Sequence, residues 1–349
     1  MPSVRPNIAE MKGYAPGEQP QGVEKFIKLN TNENPYQCSP KVKAAIGRVV
    51  QAGLQKYPDP VATAFRIRAA ELHGVEPDWI LCGNGSDDLL TIVTRAFVGT
   101  SDMIRFANPS YLLYRTLAEI QGAACDIIDY NADWSLPAEF AKPNDWVRLA
   151  FLANPNSPSG TMVAPENVAE LAAGLPCPLL VDEAYVDFAE ASCIPLVAEN
   201  EKIMVARTLS KSYALAGLRF GYLIAQPQVI RELCKVKDSY NCDSLSIAGA
   251  TAAIDDQAWL AETRAAILAT RARLTAALRE MEFDAVDSQA NFVWCKHTNV
   301  PSEQLYRGLK QAGILVRYIL YPGWGDGLRI TVGTDDQVDA CLAQLRSLL

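Results

Sequence analysis

The sequence has very little histidine, no paired cysteine motif and no long apolar run. Its two histidines, His73 and His297, leave almost nothing from which to build a Ser-His-Asp triad or a histidine-rich zinc site. The nine cysteines are scattered without a C-x-x-C pair, which is typical of reduced, buried thiols. No apolar run reaches membrane-spanning length, and the first twenty residues contain no signal-peptide core. We therefore expect a cytoplasmic protein without a metal site or a membrane partner.

Positive charge is also scarce. The 32 Lys and Arg residues are outnumbered by 40 Asp and Glu residues, and the formal net charge is −8. No segment concentrates basic residues, so the sequence lacks the footprint that a nucleic-acid surface needs. The 349 residues are otherwise of ordinary globular composition, with 49% hydrophobic residues. This length favours two domains over one.

The middle of the chain alternates short apolar runs with amphipathic stretches. Strands are predicted at residues 79–82, 102–106, 124–129, 147–152, 178–181, 202–206 and 218–224. Helices are predicted at residues 40–54, 62–72, 87–97, 110–121, 165–173 and 227–236. Almost continuously apolar strands that alternate with helices predict an α/β fold, with a mostly parallel central sheet and helices on both faces.

The pattern changes near residue 243. A long helical region rich in Ala, Arg and Leu runs to Met281, and short strands and helices follow it to the C-terminus. This predicts a smaller α+β domain, whereas the Pro-, Gly- and Asn-rich beginning predicts an extended arm. We predict an arm at residues 1–40 that joins the small domain, a large domain at residues 41–245 and a small domain at residues 246–349.

Polar and glycine-rich segments follow the predicted strands, where ligands bind in open α/β sheets. The turn GNGSDD would gather the backbone N–H groups of Gly85 and Ser86 at a helix start, which favours a phosphate site. A simple strand-to-helix turn is the alternative for this motif alone. Tyr111 follows the next strand, and Asn156 and Ser157 follow the one after it. Each of these three could equally serve packing or a turn.

Charged residues stand beside apolar runs at further strand ends. Asp182 closes the run LLVD, where a carboxylate is costly unless a cation or a donor meets it. Tyr185 lies three residues later and could face the same crevice. Lys211 follows the run KIMVA, and the apolar residues after it fit poorly with a solvated loop lysine. Arg317 and Arg329 interrupt apolar strands near the C-terminus, so we expect them to meet an anion.

These segments in this order resemble a known family. GNGSD, Tyr111, NPNSPSG, DEAY, SKSYALAGLRFGY and LRITVG are similar to the motifs of fold-type-I, class II aminotransferases that use pyridoxal 5′-phosphate (PLP), and most closely to those of the histidinol-phosphate aminotransferases. GEQP, KLNTNENP and KYPDP extend the resemblance over nearly the whole chain. Six ordered motifs make coincidence negligible. The resemblance implies the PLP-dependent transferase fold and ping-pong transfer of an amino group from histidinol phosphate to 2-oxoglutarate, a step of histidine biosynthesis.

The resemblance also implies a role for each matching residue. Lys211 would hold PLP as a Schiff base, Asp182 would pair with the ring nitrogen, and Tyr185 would bond the ring hydroxyl. Further cofactor contacts would come from Gly85, Ser86, Asp87, Tyr111, Thr208, Ser210 and Arg219. Tyr57 would reach the phosphate of the neighbouring subunit, because the family forms homodimers with shared active sites. Substrate contacts would come chiefly from Arg329, with Arg317, Tyr14, Asn32 and Tyr111 as further candidates.

The sequence departs from the family pattern where substrate and ring contacts are made. A second asparagine is common where Ser157 stands, so Asn156, Ser157 or Tyr185 alone could serve the ring hydroxyl. The segment YPGWGDG at residues 321–327 has no match, and it adjoins Arg329. An aromatic amino acid aminotransferase and a threonine-phosphate decarboxylase therefore stay open as alternatives. A PLP-binding regulator would need a DNA-binding domain, for which this acidic chain has little room.

Overall fold

The computed structural model describes residues 3–13, 17–19 and 26–349, and within them twelve α-helices and twelve β-strands form. The helices are α1 (Pro6–Glu10), α2 (Pro40–Ala52), α3 (Thr63–His73), α4 (Ser86–Phe97), α5 (Leu113–Gln121), α6 (Pro165–Gly174), α7 (Leu196–Glu199), α8 (Pro227–Leu233), α9 (Ser244–Ile254), α10 (Gln257–Glu280), α11 (Ser302–Gln311) and α12 (Asp335–Leu348). The strands are β1 (Ile27–Leu29), β2 (Ile80–Gly83), β3 (Met103–Asn108), β4 (Ala124–Asp129), β5 (Val147–Ala153), β6 (Leu179–Asp182), β7 (Ile203–Thr208), β8 (Gly221–Ile224), β9 (Phe283–Ala285), β10 (Phe292–His297), β11 (Ile314–Tyr321) and β12 (Gly325–Thr331). In this part of the chain no helix is both long enough and apolar enough to span a bilayer.

Seven strands form the central sheet in the order β2-β8-β7-β6-β5-β3-β4. Strand β8 runs antiparallel to both of its neighbours, and the other pairings are parallel. The predicted mostly parallel sheet is therefore confirmed. The strand predicted at residues 218–224 begins only at Gly221, because Arg219 adopts a left-handed backbone conformation with φ 55° that a strand does not accommodate.

Both faces of this sheet are buried, as predicted. Along β5, Ala150 and Leu152 enter one apolar core, whereas Leu149 and Phe151 enter the core on the opposite face. This division follows from the two-residue period of a strand. Helices α3 and α6 contribute to the first core, and α4 and α5 contribute to the second. Helices thus cover the sheet on both sides and leave its strand ends free to form a site.

The second sheet has five strands in the order β1-β11-β12-β10-β9. Strand β1 pairs in parallel with β11, so residues 27–29 of the predicted arm extend this sheet. The helical region predicted to run from residue 243 to Met281 is divided into α9 and α10. The two helices are separated at Asp255 and Asp256, and Asp256 is the N-cap of α10. The exact domain boundaries stay a prediction.

Candidate active site

A cavity of about 270 Å³ lies between the strand ends of the central sheet and two strands of the second sheet. Ala153, Asp182 and Thr208 line it from the carboxyl ends of β5, β6 and β7, and Arg317 and Arg329 line it from β11 and β12. The predicted site residues that line it are Asn32, Ser86, Asp87, Tyr111, Ser157, Asp182, Tyr185, Thr208, Ser210, Lys211, Arg219, Arg317 and Arg329. Residues that are up to about three hundred positions apart in the chain thus meet at the carboxyl ends of the strands, where open α/β folds bind ligands.

One end of the cavity presents the start of α4. The helix begins at Ser86, and no side chain caps its first N–H groups. Gly85 has φ 85°, and a Cβ at this position would lie 2.4 Å from Nη2 of Arg219. Glycine is thus required for the guanidinium to approach the helix start. Uncapped N–H groups beside an arginine form a site for a phosphate or another anion.

Hydroxyl groups at the end of β7 complete this anion site. Thr208 Oγ1 donates to Ser210 Oγ at 2.9 Å, and the Ser210 N–H donates to Thr208 Oγ1 at 3.2 Å. Nη1 of Arg219 lies 3.5 Å from Ser210 Oγ. The nearest carboxylate, Asp87, lies 3.6 Å from Nη2 of Arg219 and accepts a hydrogen bond from Tyr111. The donors that remain are neutral or cationic, as a phosphate requires.

Asp182 lies at the end of β6 and is almost fully buried. The Tyr114 hydroxyl donates to Oδ2 at 2.9 Å, and the Ala184 N–H donates to Oδ1 at 3.2 Å. Burial raises the pKa of the Asp182 carboxyl to about 6, and these two hydrogen bonds only partly oppose it. A cation delivered by a ligand would stabilise the ionised form, so this position fits the protonated nitrogen of a pyridine ring.

Lys211 follows β7 and is partly buried. Its Nζ donates to the Thr31 carbonyl at 3.2 Å and lies 5.7 Å from the centre of the Tyr185 ring. Asn34 fixes the backbone here, because its Nδ2 donates to the carbonyls of Lys211 at 3.1 Å and Ser212 at 2.9 Å. The amine thus faces the cavity without a carboxylate partner among the described residues, as a nucleophilic lysine should.

Asn32 connects the predicted arm to Tyr185. Its Nδ2 donates to the Tyr185 hydroxyl at 2.9 Å, and its backbone is left-handed with φ 55°. Thr331 orients this amide, since its Oγ1 accepts from the Asn32 N–H and donates to Asn32 Oδ1, both at 3.0 Å. The tyrosine hydroxyl is therefore held from the β12 side of the cavity.

Arg317 and Arg329 face each other across β11 and β12. Nη1 of Arg329 donates to Ser157 Oγ at 2.9 Å and its Nη2 donates to the Asn30 carbonyl at 3.2 Å, whereas its Nε is buried without a partner among the described residues. No carboxylate of the described residues pairs with either arginine. Because like charges placed directly opposite each other destabilise a sheet, this pair is suited to an anionic ligand.

Among the described residues, Asn156 and Tyr57 are predicted site residues that do not line the cavity, and Gly85 lies next to it beside Arg219 without lining it. Asn156 does not line the cavity, because Oδ1 accepts from Ser110 at 2.8 Å and Nδ2 donates to the Pro109 carbonyl at 3.1 Å and to Ser159 at 3.0 Å. This arrangement does not support the predicted ring contact of Asn156, and Ser157 is the residue that faces the cavity. Tyr57 is 81% exposed and stacks on Tyr240, away from this cavity. Tyr14 lies outside the described residues.

The sequence analysis also missed residues that the structure brings to the site. Tyr114 donates a hydrogen bond to Asp182. Its position three residues after Tyr111 in the same segment could have indicated that it lies near the site. Ile319 and Tyr321 line the cavity beside Arg317 and share its face of β11. Their two-residue spacing from Arg317 could have indicated this placement.

The chain is similar to known proteins over almost its full length. Residues 24–345 match the family described as aminotransferase class I and II. A histidinol-phosphate aminotransferase of Rhodopirellula baltica is 54% identical over 342 residues, covering 98% of this chain and 94% of the relative. A histidinol-phosphate aminotransferase 1 of a Nostoc species is 44% identical, covering 99% of this chain and 98% of the relative. The solved histidinol-phosphate aminotransferase of Sinorhizobium meliloti in complex with pyridoxal-5′-phosphate is 26% identical, with a TM-score of 0.83 over 92% of this chain and 91% of that one.

Proposed function

The chain belongs to the aminotransferase class I and II family, and from this premise we propose that it is a PLP-dependent aminotransferase acting on histidinol phosphate and 2-oxoglutarate. The observation that carries the proposal is a single cavity with two separate anion sites. One is built from α4 and Arg219 and suits the cofactor phosphate. The other is built from Arg317 and Arg329 and suits an anionic substrate. Two such sites beside Lys211 and Asp182 are what transamination of a phosphorylated amine requires.

The residues present fit PLP. The backbone around Gly85, Ser86 and Asp87 would hold its phosphate, together with Thr208, Ser210 and Arg219. The space that a Cβ at Gly85 would fill is what allows Arg219 to reach this site. Lys211 would hold the cofactor covalently, and Asp182 would face its ring nitrogen. When bound, PLP supplies an electron sink for the bond that is broken at the substrate carbon.

Asp182 would keep the ring nitrogen of bound PLP protonated. Tyr114 and Ala184 fix the orientation of its carboxylate, so the charge is placed before the ligand arrives. A buried carboxylate with no cation of its own interacts strongly with a bound cation, because little water screens the pair. The protein thus stabilises the cationic form of the ring at the atom where electron density accumulates.

Lys211 is the base that moves the substrate proton. Its Nζ would take the proton from the substrate α-carbon and deliver it within the site, as a general base and then a general acid. The Thr31 carbonyl and the Tyr185 ring keep Nζ inside the cavity. Tyr185 is held by Asn32 and would bond the ring hydroxyl, and the position of Ser157 makes it available beside Arg329 rather than to the ring.

Arg317 and Arg329 would bind the anionic group of each substrate in turn. A planar guanidinium forms paired hydrogen bonds with a phosphate and with a carboxylate. The phosphate of histidinol phosphate and a carboxylate of 2-oxoglutarate can therefore use one site in successive half-reactions. This sharing accounts for ping-pong turnover in a single cavity.

The proposal includes a homodimer in which Tyr57 serves the partner's site. Tyr57 and Tyr240 stack with ring centres 4.5 Å apart, and Val50 and Leu54 are more than half exposed nearby in the sequence. Exposed aromatic and aliphatic side chains of this kind mark protein interfaces. A monomeric mass by sedimentation equilibrium at micromolar concentration would contradict the homodimer.

The proposed function is tested with a panel of amino donors. We expect purified, PLP-loaded protein with 2-oxoglutarate to prefer histidinol phosphate over phenylalanine, tyrosine and threonine phosphate, with glutamate as the measured product. The two arginines favour a phosphate-bearing donor, and this is the physical reason for the expected order. Preference for phenylalanine would indicate an aromatic amino acid aminotransferase. Release of carbon dioxide from threonine phosphate would indicate a decarboxylase.

A further inference from the structure

The segment YPGWGDG, for which the resemblance offers no match, contains the turn that connects β11 to β12. Pro322 and Gly323 occupy its centre, Gly323 has φ 81°, and the Trp324 N–H donates to the Tyr321 carbonyl at 3.0 Å. Proline followed by a glycine with positive φ is the signature of a type II turn. The turn fixes where β11 ends, and therefore fixes which side chain stands last on its cavity face.

Three side chains of β11 line the cavity in alternation. They are Arg317, Ile319 and Tyr321, whereas Leu320 between the last two is 62% exposed. At about 3.3 Å per residue, the backbone positions of Arg317 and Tyr321 are about 13 Å apart. The same face therefore presents a cationic group at one end and an apolar, aromatic wall at the other.

Strand β12 presents two glycines opposite this wall, and the Trp294 ring packs over one of them. The residue opposite Tyr321 is Gly325, and the residue opposite Ile319 is Gly327. A Cβ at Gly327 would lie 2.5 Å from the Trp294 ring, so the ring occupies the space that this glycine leaves. Side chains that would otherwise crowd Ile319 and Tyr321 are thus absent from the neighbouring strand.

Tyr321 is held in place by a row of tryptophans. Its ring packs edge-on against Trp294 with centres 6.3 Å apart, and Trp294 packs in the same way against Trp134. Trp324, from the turn, closes the row on Trp134 at 4.9 Å. Tyr321 is 5% exposed in this setting. A buried ring with fixed neighbours loses little conformational freedom when a ligand packs against it.

We propose that Tyr321 is a specificity-determining residue whose ring packs against the planar ring of the amine substrate while Arg317 and Arg329 hold the anionic group. The inference rests on the proposed function, because it takes the donor to be an amine with an anionic group and an aromatic ring. Glutamate reaches the arginines but has no ring to place against Tyr321. The wall therefore discriminates between the two substrates of the same site.

Half-reactions followed by stopped-flow absorbance of the PLP-loaded enzyme test this inference, since they give the substrate dissociation constant and the rate separately. Tyr321→Leu is expected to lower the ratio of kcat/KM for histidinol phosphate to that for glutamate by roughly tenfold, mainly through weaker binding. Tyr321→Phe, which keeps the ring, is expected to recover most of that ratio. Leu320→Ala, on the exposed side of the same strand, is the matched control.

The outcomes separate this inference from the proposed function. An unchanged ratio in Tyr321→Leu overturns the inference, and so does an equal loss for both substrates, because that loss would reflect the fold alone. A loss in Tyr321→Phe as large as in Tyr321→Leu also overturns it. Wild-type enzyme that accepts no ring-bearing amine would instead refute the proposed function, and this is measured before any variant is made.

Discussion

Replacing Lys211 with alanine is expected to lower kcat for transamination by about a thousandfold or more. The variant loses the amine that we propose holds the cofactor and moves the proton at the substrate α-carbon, and each role alone has a large effect on rate. The variant is expected to keep part of its affinity for PLP, because the proposed phosphate site at the start of α4, Thr208, Ser210 and Arg219 is unchanged. Steady-state kinetics with histidinol phosphate and 2-oxoglutarate measures the loss.

Borohydride reduction and peptide mass spectrometry provide the matching chemical measurement. In the wild-type protein the reduced cofactor should be found on the peptide that contains Lys211. Lys235→Ala is the matched control, because Lys235 is exposed and pairs only with Glu232 on the same surface. It should keep both turnover and labelling. Normal turnover in Lys211→Ala, or a cofactor label on another lysine, would show that the nucleophile is misassigned.

Replacing Asp182 with asparagine is expected to lower kcat by about a hundredfold to a thousandfold, on the scale of other losses of a positioned charge. Asparagine keeps the hydrogen bond from Tyr114 but carries no charge to hold the ring nitrogen protonated. PLP affinity of the wild-type protein should fall as the pH drops below 6, since the carboxyl, with its pKa raised to about 6, then becomes neutral. The variant should lose the part of this pH dependence that comes from the carboxyl, whereas the part from the cofactor phosphate, whose second pKa is about 6, remains. Fluorescence titration with PLP between pH 5 and 8 measures it, and a variant with wild-type kcat would contradict the assignment.

The same variant is expected to unfold at a higher denaturant concentration when it is free of cofactor. Because the pKa of Asp182 is higher in the folded state than in the unfolded state, the folded state binds more protons between about pH 4 and pH 6. Its free energy of unfolding therefore decreases as the pH rises through that range, by roughly 3 kcal/mol. Asparagine does not titrate, so the variant should not show this decrease in the free energy of unfolding. A variant that is less stable than the wild type at pH 7 would show that the carboxylate is not under strain.

Glu183→Gln is the matched control for stability. Glu183 is buried next to Asp182, but its Oε2 pairs with Nη1 of Arg207 at 3.0 Å and accepts from Ser192 at 2.8 Å. Glu183→Gln removes one of the two carboxylates that pair with the buried Arg207 guanidinium and leaves Asp187 as the other, so it is expected to be destabilising. The two neighbouring substitutions should thus change stability in opposite directions. The reason is that Asp182 has no cationic partner among the described residues, whereas Glu183 pairs with Arg207.

The central sheet and its strand ends were predictable because their signals are local. Strand β4 begins and ends at the predicted residues, and Asp182 and Thr208 each close an apolar strand. Parallel strands bring their carboxyl ends to one edge, so residues that follow them must meet. The start of β8 was predicted too early, because Arg219 adopts a left-handed backbone conformation that no local sequence signal indicates.

The sequence alone indicated the residues of this candidate site, and only the tertiary structure decided how they are arranged around the cavity. Lys211 and Asp182 were identifiable because an apolar strand leads to each of them in the chain. The choice between Asn156 and Ser157, the support of Asp182 by Tyr114 and the placement of Tyr321 were not. Each of these depends on packing between segments far apart in sequence, such as Tyr114 against Asp182 and Ser157 against Arg329. No local pattern of the chain encodes such contacts.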